Sequence, residues 1–310
     1  MVIVGPTASG KTALGVDLAL DLDGEVVNAD AMQLYRGMDV GTAKATPAER
    51  RGVPHHLLDV LAPAEEASVA DFQQRARAAV DDVVGRGRAA IVVGGSGLYV
   101  RALLDDLTFP GTDPAVRERL TDELEAHGPA VLHARLAQAD PAAAAAVLPT
   151  NGRRIVRALE VIEITGGPFT ATLPPYGPPR WGAVQLGLDV PTAELDDRIT
   201  ARVARMWDDG IVVEAAGLAL AEGGLSRTAA RALGYAQALG QIAGTLTQDE
   251  ARAETAAATR RLARRQLSWF RRDPRVRWLA HPASPAAAIA ALRGVPGDSS
   301  ADGPSGPVHK

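Results

Sequence analysis

Gly5-Pro6-Thr7-Ala8-Ser9-Gly10-Lys11-Thr12 follows directly on the short apolar run Met1-Val2-Ile3-Val4. Its spacing, G-x-x-x-x-G-K-[ST], is that of a phosphate-binding loop set between a buried strand and a helix. The two glycines let the backbone curl until successive N–H groups point at one anion. A helix starting at Lys11 or Thr12 brings its positive end against the same anion. Lys11 adds a full charge, and the Thr12 hydroxyl suits a magnesium ion. The residues Gly5, Pro6, Thr7, Ala8, Ser9, Gly10, Lys11 and Thr12 are therefore expected to grip a di- or triphosphate.

Downstream of the loop, Ala13 to Leu22 carries helical apolar spacing, and Glu25-Val26-Val27-Asn28 reads as a second strand. Asp30 lies just past its carboxyl end, where open parallel sheets carry their chemistry, so it shares a rim with the phosphate loop. A polar connection, Gly37 to Lys44, leads to Pro54-His55-His56-Leu57-Leu58-Asp59-Val60. The adjacent histidines point different ways with no third ligand nearby, which predicts a packed or loop-fixing role rather than zinc. Val69 to Val84 reads as a helix with Ser68 as N-cap and Gly85 at its C-terminal stop. Ala89-Ala90-Ile91-Val92-Val93 is the clearest buried strand and runs into a second glycine-rich turn, Gly94-Gly95-Ser96-Gly97. A nucleotide hydrolase commonly ends such a strand with a magnesium-binding Asp. Glycine stands there, which weakens an ATPase reading.

From Asp113 to Trp181 no strand signal occurs. Asp113-Pro114 opens a helix, Asp140 to Val147 is alanine-rich and helical, and Arg153 to Thr165 forms a third helix after the break at Asn151-Gly152. Val184 to Val190 returns as a strand, helices follow through Phe270, and Val276 to Leu279 reads as a last strand. The expected fold class is α/β: a P-loop NTPase-like parallel sheet core with helices on both faces and an inserted α-helical subdomain. Residues 1–112 and 183–293 form that core and 113–182 the insertion. The Gly/Ser/Pro/Asp-rich stretch 294–310 is expected to be disordered.

The 310 residues are 46% apolar and 23% charged, as in an ordinary globular protein. A net charge of −4 argues against a wholly basic nucleic-acid binder but leaves room for a local patch. The absence of cysteine excludes a disulfide framework, a Cys-based zinc site and a Cys nucleophile. No charged segment with an apolar core precedes the loop, and no apolar run of about 18 residues occurs. A cytoplasmic protein with no membrane span is expected.

Thirty arginines against three lysines reflect composition more than function, so their placement matters more than their number. Arg198, Arg202 and Arg205 share one helical face beside the apolar stripe Ile199, Val203 and Met206. They form either a solvated face or a phosphate contact. On the insertion, Arg153, Arg157 and Glu160 share a face that can in part be an intrahelical salt bridge. In the last helix, Arg260, Arg264 and Arg271 make one stripe and Arg261, Arg265 and Arg272 a second, with Leu262 and Trp269 expected on the buried side. Eight arginines from Arg260 to Arg277 face one acid in sequence, Asp273. That density points to a polyanion larger than a nucleotide, RNA or DNA.

Several runs occur together and in order: the loop Gly5–Thr12, the stretch from Asn28 through Gln33-Leu34-Tyr35-Arg36 to Lys44, and Pro54-His55-His56-Leu57-Leu58-Asp59. Val93-Gly94-Gly95-Ser96-Gly97-Leu98-Tyr99, Arg157-Ala158-Leu159-Glu160-Val161, Arg231-Ala232-Leu233-Gly234-Tyr235 and Arg264-Arg265-Gln266-Leu267-Ser268-Trp269-Phe270-Arg271 complete the set. In this the chain resembles the tRNA dimethylallyltransferase (IPP transferase) family, over most of its length. The resemblance implies transfer of a prenyl group from dimethylallyl diphosphate to the exocyclic N6 of the adenosine 3′ to the anticodon. It implies that the loop, with Arg198, holds the diphosphate leaving group and that Thr12 binds Mg2+. Asp30 becomes the general base, against the alternatives of a magnesium ligand or a helix cap. Asp30, Ala31, Met32 and Gln33 would touch the target nucleotide, and Ser96 would bond near the reacting amine. Arg117, Arg153, Arg154, Arg157, Arg231, Gly234 and Tyr235 would contact the tRNA anticodon stem-loop, with a monomer as the expected state.

The match departs at Ala31, where Ser is frequent, at Ser96, where Thr is usual, and at Thr150-Asn151-Gly152, where Pro-Asn-Asp is typical. Two other readings share parts of the pattern: a P-loop nucleotide kinase or ATPase acting with nucleic acid, and an adenylate isopentenyltransferase working on a free nucleotide. A non-catalytic RNA-binding module would leave Lys11, Thr12 and Asp30 without a purpose.

Overall fold

The computed structural model describes residues 1–170 and 172–293; the tail 294–310, expected to be disordered, lies outside the described residues. The chain divides into a unit of Met1–Leu104 with Pro179 onward, and a unit of Asp105–Pro178, where the sequence placed its insertion at 113–182.

The first unit is built on β1 (Val2–Val4), α1 (Lys11–Asp21), β2 (Gly24–Asn28), α2 (Pro47–Arg50), β3 (His55–His56), α3 (Val69–Gly85), β4 (Ala89–Gly94) and α4 (Gly97–Leu104). The second unit contributes α5 (Pro114–Ala139), α6 (Pro141–Ala146) and α7 (Gly152–Thr165). The chain then returns to the first unit with β5 (Gln185–Asp189), α8 (Thr192–Asp208), α9 (Ile211–Leu220), α10 (Tyr235–Ile242), α11 (Gln248–Phe270), β6 (Val276–Ala280) and α12 (Pro285–Arg293).

Six parallel strands form one sheet in the order β3-β2-β4-β1-β5-β6. The period of two in an extended chain sends alternate residues to opposite faces. Val2, Val4, Val27 and Val92 join one core cluster with Phe72, Val80 and Leu103 from α3 and α4. Ile3, Val26, Ile91 and Leu186 join the other with Leu14 and Leu18 from α1 and Ala288 from α12. Burial on both faces is why the central strands β1 and β4 carry no polar side chain. Because β4 lies between β2 and β1, the loops that follow β1, β2 and β4 open side by side at one edge of the sheet.

Helix ends follow their capping chemistry. Ser68 Oγ accepts from the Asp71 N–H at 3.0 Å and starts α3. The helix takes in Gly85, and the left-handed residue that follows it is Gly87, φ 77°, rather than the glycine the sequence reading chose. The histidine pair fixes local structure: His56 Nε2 meets the buried Glu25 at 2.6 Å, and His55 Nδ1 meets the Val53 carbonyl at 2.8 Å. Arg86, first, and then His56 and Arg88 hold the Glu25 carboxyl well below the usual carboxylate range.

The second unit has its own core around Leu120, Leu132, Leu136, Ile155 and Leu159. Asp113 caps α5, Asp140 caps α6 and Asn151 caps α7. A break at Gly128, φ 76°, ahead of Pro129 divides α5 into two helical pieces.

Candidate active site

The loop between β1 and α1 turns through Gly5 at φ 145°, Ala8 at φ 64° and Gly10 at φ 90°. Lys11 Nζ donates to the Pro6 carbonyl at 2.6 Å and lies 3.5 Å from Ser9 Oγ. Two partners from distant sequence hold the loop from its other side. Gln266 Oε1, on α11, accepts from the Thr7 N–H at 2.8 Å, and Arg202, on α8, donates to Thr7 Oγ1 at 3.0 Å. Burial pushes Lys11 down to about 7; the field of Asp30 opposes the shift and that of Arg202 adds to it.

Past β2, Asn28 ties its own turn together: Nδ2 donates to the carbonyls of Leu57 and Asp30, both at 3.0 Å, and Oδ1 accepts from the Asp30 N–H at 2.9 Å. Asp30 Oδ1 accepts from the Met32 N–H at 3.0 Å and so caps the single turn Met32–Leu34. Its other carboxylate oxygen receives no hydrogen bond among the described residues. Ser96 Oγ accepts from the Ala31 N–H at 3.3 Å and steadies the same turn. Gln33 Nε2 donates to the carbonyls of Thr42 and Ala43, at 3.2 and 3.4 Å. Lys44 is buried, with Nζ shared among the Tyr35 carbonyl at 2.8 Å, Asp39 at 2.5 Å and Asp59 at 2.6 Å.

Each glycine of the turn after β4 marks a close approach. A Cβ at Gly94 would strike the Ala29 backbone, one at Gly95 would come 2.5 Å from the Gln266 amide, and one at Gly97 would enter the Trp269 indole. No carboxylate can therefore stand at the end of β4 without displacing β2.

These elements enclose a cavity of about 1010 Å³ within the first unit. Thr7 to Thr12, Asp30, Gln33, Thr42, Gly95, Arg198, Arg202, Arg205 and Gln266 line it. Apart from Gly5 and Pro6, which are not among its lining residues, the expected diphosphate and base residues thus meet in one space. Ala31, Met32 and Ser96 are not among its lining residues; they support Asp30 from behind. Arg198 donates through Nε to Glu194 at 3.0 Å and sets a terminal nitrogen 2.7 Å from His281 Nε2. Arg202, one helical turn on, reaches the phosphate loop directly, so the stripe on α8 is a site feature and not only a solvated face.

Several residues expected at RNA have other partners. Gly234 and Tyr235 are buried, and the Tyr235 hydroxyl donates to Glu214 at 2.7 Å, so this pair shapes the interior instead of facing a stem-loop. Arg117 and Arg157 both donate to Glu160, at 2.5 and 2.8 Å, and Glu160 is wholly buried. Arg153, Arg154 and Arg231 are exposed. On α11 the acids missing from the local sequence arrive from elsewhere. Asp196 takes Arg264 at 3.0 Å and approaches Arg260 at 3.8 Å, and Asp189 takes Arg271 at 3.3 Å, while the local acid, Asp273, takes Arg275 at 2.7 Å. Arg261 and Arg265 remain exposed with no acid partner among the described residues. The buried side of α11 runs through Ala256, Thr259, Ala263 and Phe270, with Leu262 and Trp269 half-buried at its flank.

Gln266, Glu214 and Lys44 hold the loops around the cavity, and motif reading left them without a role. For Lys44 a signal existed. In a chain that otherwise uses arginine, a lysine inside a loop marks a need for a compact ammonium with three donors.

Residues 33–273 match the family model described as IPP transferase. The chain is 64% identical over 277 residues to the tRNA dimethylallyltransferase of Salinispora arenicola (strain CNS-205), covering 89% of this chain and 81% of that one. It is 62% identical over 288 residues to the tRNA dimethylallyltransferase of Thermobifida fusca (strain YX), covering 91% and 89%. Among solved structures it is similar to the tRNA isopentenylpyrophosphate transferase of Bacillus halodurans, with a TM-score of 0.65 and 41% identity over 90% of this chain and 88% of that one. A eukaryotic dimethylallyltransferase described as acting on tRNA aligns with a TM-score of 0.75 and 26% identity over 90% and 73%.

Proposed function

The chain belongs to the IPP transferase family, and from that premise we propose how its cavity moves a dimethylallyl group onto adenosine in tRNA. The acceptor is the exocyclic N6 of the adenosine 3′ to the anticodon, and diphosphate leaves. The observation that carries this reading is the shared cavity: Lys11, Arg202 and the loop N–H groups face the same space as Asp30.

The diphosphate sits against the N–H groups of the loop and the first turn of α1, with Lys11, Arg202 and Arg198 around it. As the carbon–oxygen bond to the prenyl group breaks, negative charge grows on the departing oxygens. These fixed donors stabilise it where it develops. The adenine N6 lone pair is delocalised into the ring, so the amine is a weak nucleophile. As the N6–carbon bond forms, Asp30 accepts the N6 proton through the oxygen not committed to Met32. Gln33, with its amide N–H group held by the Thr42 and Ala43 carbonyls, turns its Oε1 toward the base edge, where an amine donor fits. Ser96 acts on this chemistry by fixing the Ala31 N–H.

Thr12, exposed at the start of α1, offers a hard oxygen suited to Mg2+. The described residues hold no cluster of three His, Asp or Glu ligands, so diphosphate oxygens and water would complete its shell. When bound, the ion supplies further neutralisation of the leaving group.

To reach Asp30 the adenosine must leave its stack, at a cost on the order of a few kcal/mol that RNA contacts offset. Arg153 and Arg154 of the helical unit, Arg231, and Arg261 and Arg265 on α11 are exposed cations suited to such contacts. A kinase reading lacks its strand-end carboxylate, since Gly94 is pressed against Ala29. Among the described residues no helix is long and apolar enough to cross a membrane.

With labelled dimethylallyl diphosphate, the protein should label unmodified tRNA carrying adenosine 3′ to the anticodon and leave AMP unlabelled. Labelled AMP beside unlabelled tRNA would overturn the acceptor.

A further inference from the structure

The Arg231–Tyr235 motif ends in the buried pair Gly234-Tyr235, and its tyrosine meets a carboxylate, Glu214 of α9. That carboxylate sits in a nest of three consecutive backbone donors. Oε2 accepts from the N–H groups of Asp39 and Val40 at 2.9 and 2.8 Å, and Oε1 accepts from the Gly41 N–H at 3.0 Å and the Tyr235 hydroxyl at 2.7 Å. Converging N–H groups of this kind form a concavity for an anion, and here the chain supplies the anion itself. Gly41 lies flat against the Tyr235 ring, with no room for a Cβ.

The loop so held carries the Thr42 carbonyl, which two site residues use. Arg202 donates one terminal nitrogen to Thr7 Oγ1 of the phosphate loop, at 3.0 Å, and the other to the Thr42 carbonyl, at 3.2 Å. Gln33 Nε2 donates to the same carbonyl at 3.2 Å. One backbone oxygen thus sets the direction of a guanidinium on the diphosphate side and of an amide on the base side. A carbonyl in a loop has no fixed position of its own; the three backbone N–H groups bonded to Glu214, with the Thr42 hydroxyl bonded to the Met38 carbonyl and Lys44 to Asp39, give it one.

We propose that Glu214 is a positioning residue for the transfer, holding the 39–44 loop so that the Thr42 carbonyl orients Arg202 toward the departing diphosphate and Gln33 toward the acceptor base. The inference rests on the roles given to Arg202 and Gln33 above. It also accounts for the Arg231–Tyr235 motif: Tyr235 donates to Glu214 and its ring backs Gly41.

The test is a double-mutant cycle on the full chain, read as binding of dimethylallyl diphosphate with magnesium by titration calorimetry, without tRNA. Glu214→Gln keeps the shape but turns an amide N–H group toward backbone N–H donors. It should weaken binding about tenfold. Arg202→Ala should weaken it at least as much, and the double variant should bind no worse than Arg202→Ala alone, because the two act in series. Tyr235→Phe keeps the ring on Gly41 and removes one donor, so it should give a smaller loss of the same sign and carries the test if Glu214→Gln does not fold. Wild-type affinity in Glu214→Gln beside a weakened Arg202→Ala would overturn this inference alone, as would losses that multiply in the double variant. Wild-type affinity in Arg202→Ala would remove its diphosphate role, and the inference with it.

Discussion

Dimethylallyl diphosphate should bind more weakly as the pH rises above neutrality, because Lys11 must be charged to hold it. Burial pushes the free lysine from its ordinary 10.5 down to about 7. An arriving anion favours the charged form and raises that value, so free and bound states hold different numbers of protons throughout the alkaline range. Affinity is therefore full below about pH 7 and is lost as the pH climbs. With a free value of about 7, the charged fraction falls from about one quarter at pH 7.5 to about one hundredth at pH 9. Kd should rise about 20-fold across that interval, and binding near pH 8.5 should take up about one proton. Titration calorimetry in two buffers of different ionisation heat reads both quantities. Lys11→Met should bind more weakly at neutral pH and lose the dependence. A Kd flat from pH 7.5 to 9, or a slope that survives in Lys11→Met, would refute the reasoning.

Two further substitutions probe the scaffold. Gly97→Ala drives a methyl into the Trp269 indole and should cost about 1–3 kcal/mol, seen as a lowered Tm. Adding Trp269→Leu should recover part of that loss, and no recovery would show that the two do not compete for the same space. Glu160→Ala leaves Arg117, Arg157 and the Asp113 N–H without their buried acceptor. It should cost about 2 kcal/mol, below the roughly 3–5 kcal/mol of a broken, fully buried pair because both arginines are partly exposed. Hydrogen exchange should rise in α5 and α7; exchange unchanged there would contradict a stabilising role for Glu160.

Local chemistry made much of this legible. The phosphate loop, the strand that precedes it and the glycine turn after β4 each declare themselves within eight residues, because turn geometry and phosphate binding are local demands. Asp30 followed from its place at a strand end. What stayed hidden depends on partners far away in the chain. Gln266 braces Thr7 across 259 residues, and Glu214 meets the 39–41 backbone across more than 170. No periodicity encodes such pairings. The same distance misled the charge reading of α11, where Asp196 and Asp189 neutralise arginines that look unopposed in sequence. Tyr235 and Gly234 stand in a motif expected at RNA but are buried, since a motif records that residues matter and not which side of the wall they occupy.

The central claim is that Asp30 takes the proton while the phosphate loop holds the leaving group, and Asp30→Asn separates the two. At about pH 6.5, dimethylallyl diphosphate should bind the variant within about threefold of the unchanged chain, because losing the Asp30 charge lowers Lys11 further but also removes a carboxylate that repels the diphosphate. The single-turnover rate of prenyl transfer to tRNA should fall by about 10²–10⁴. An unchanged rate, or a collapse of diphosphate binding in step with the rate, would contradict the account.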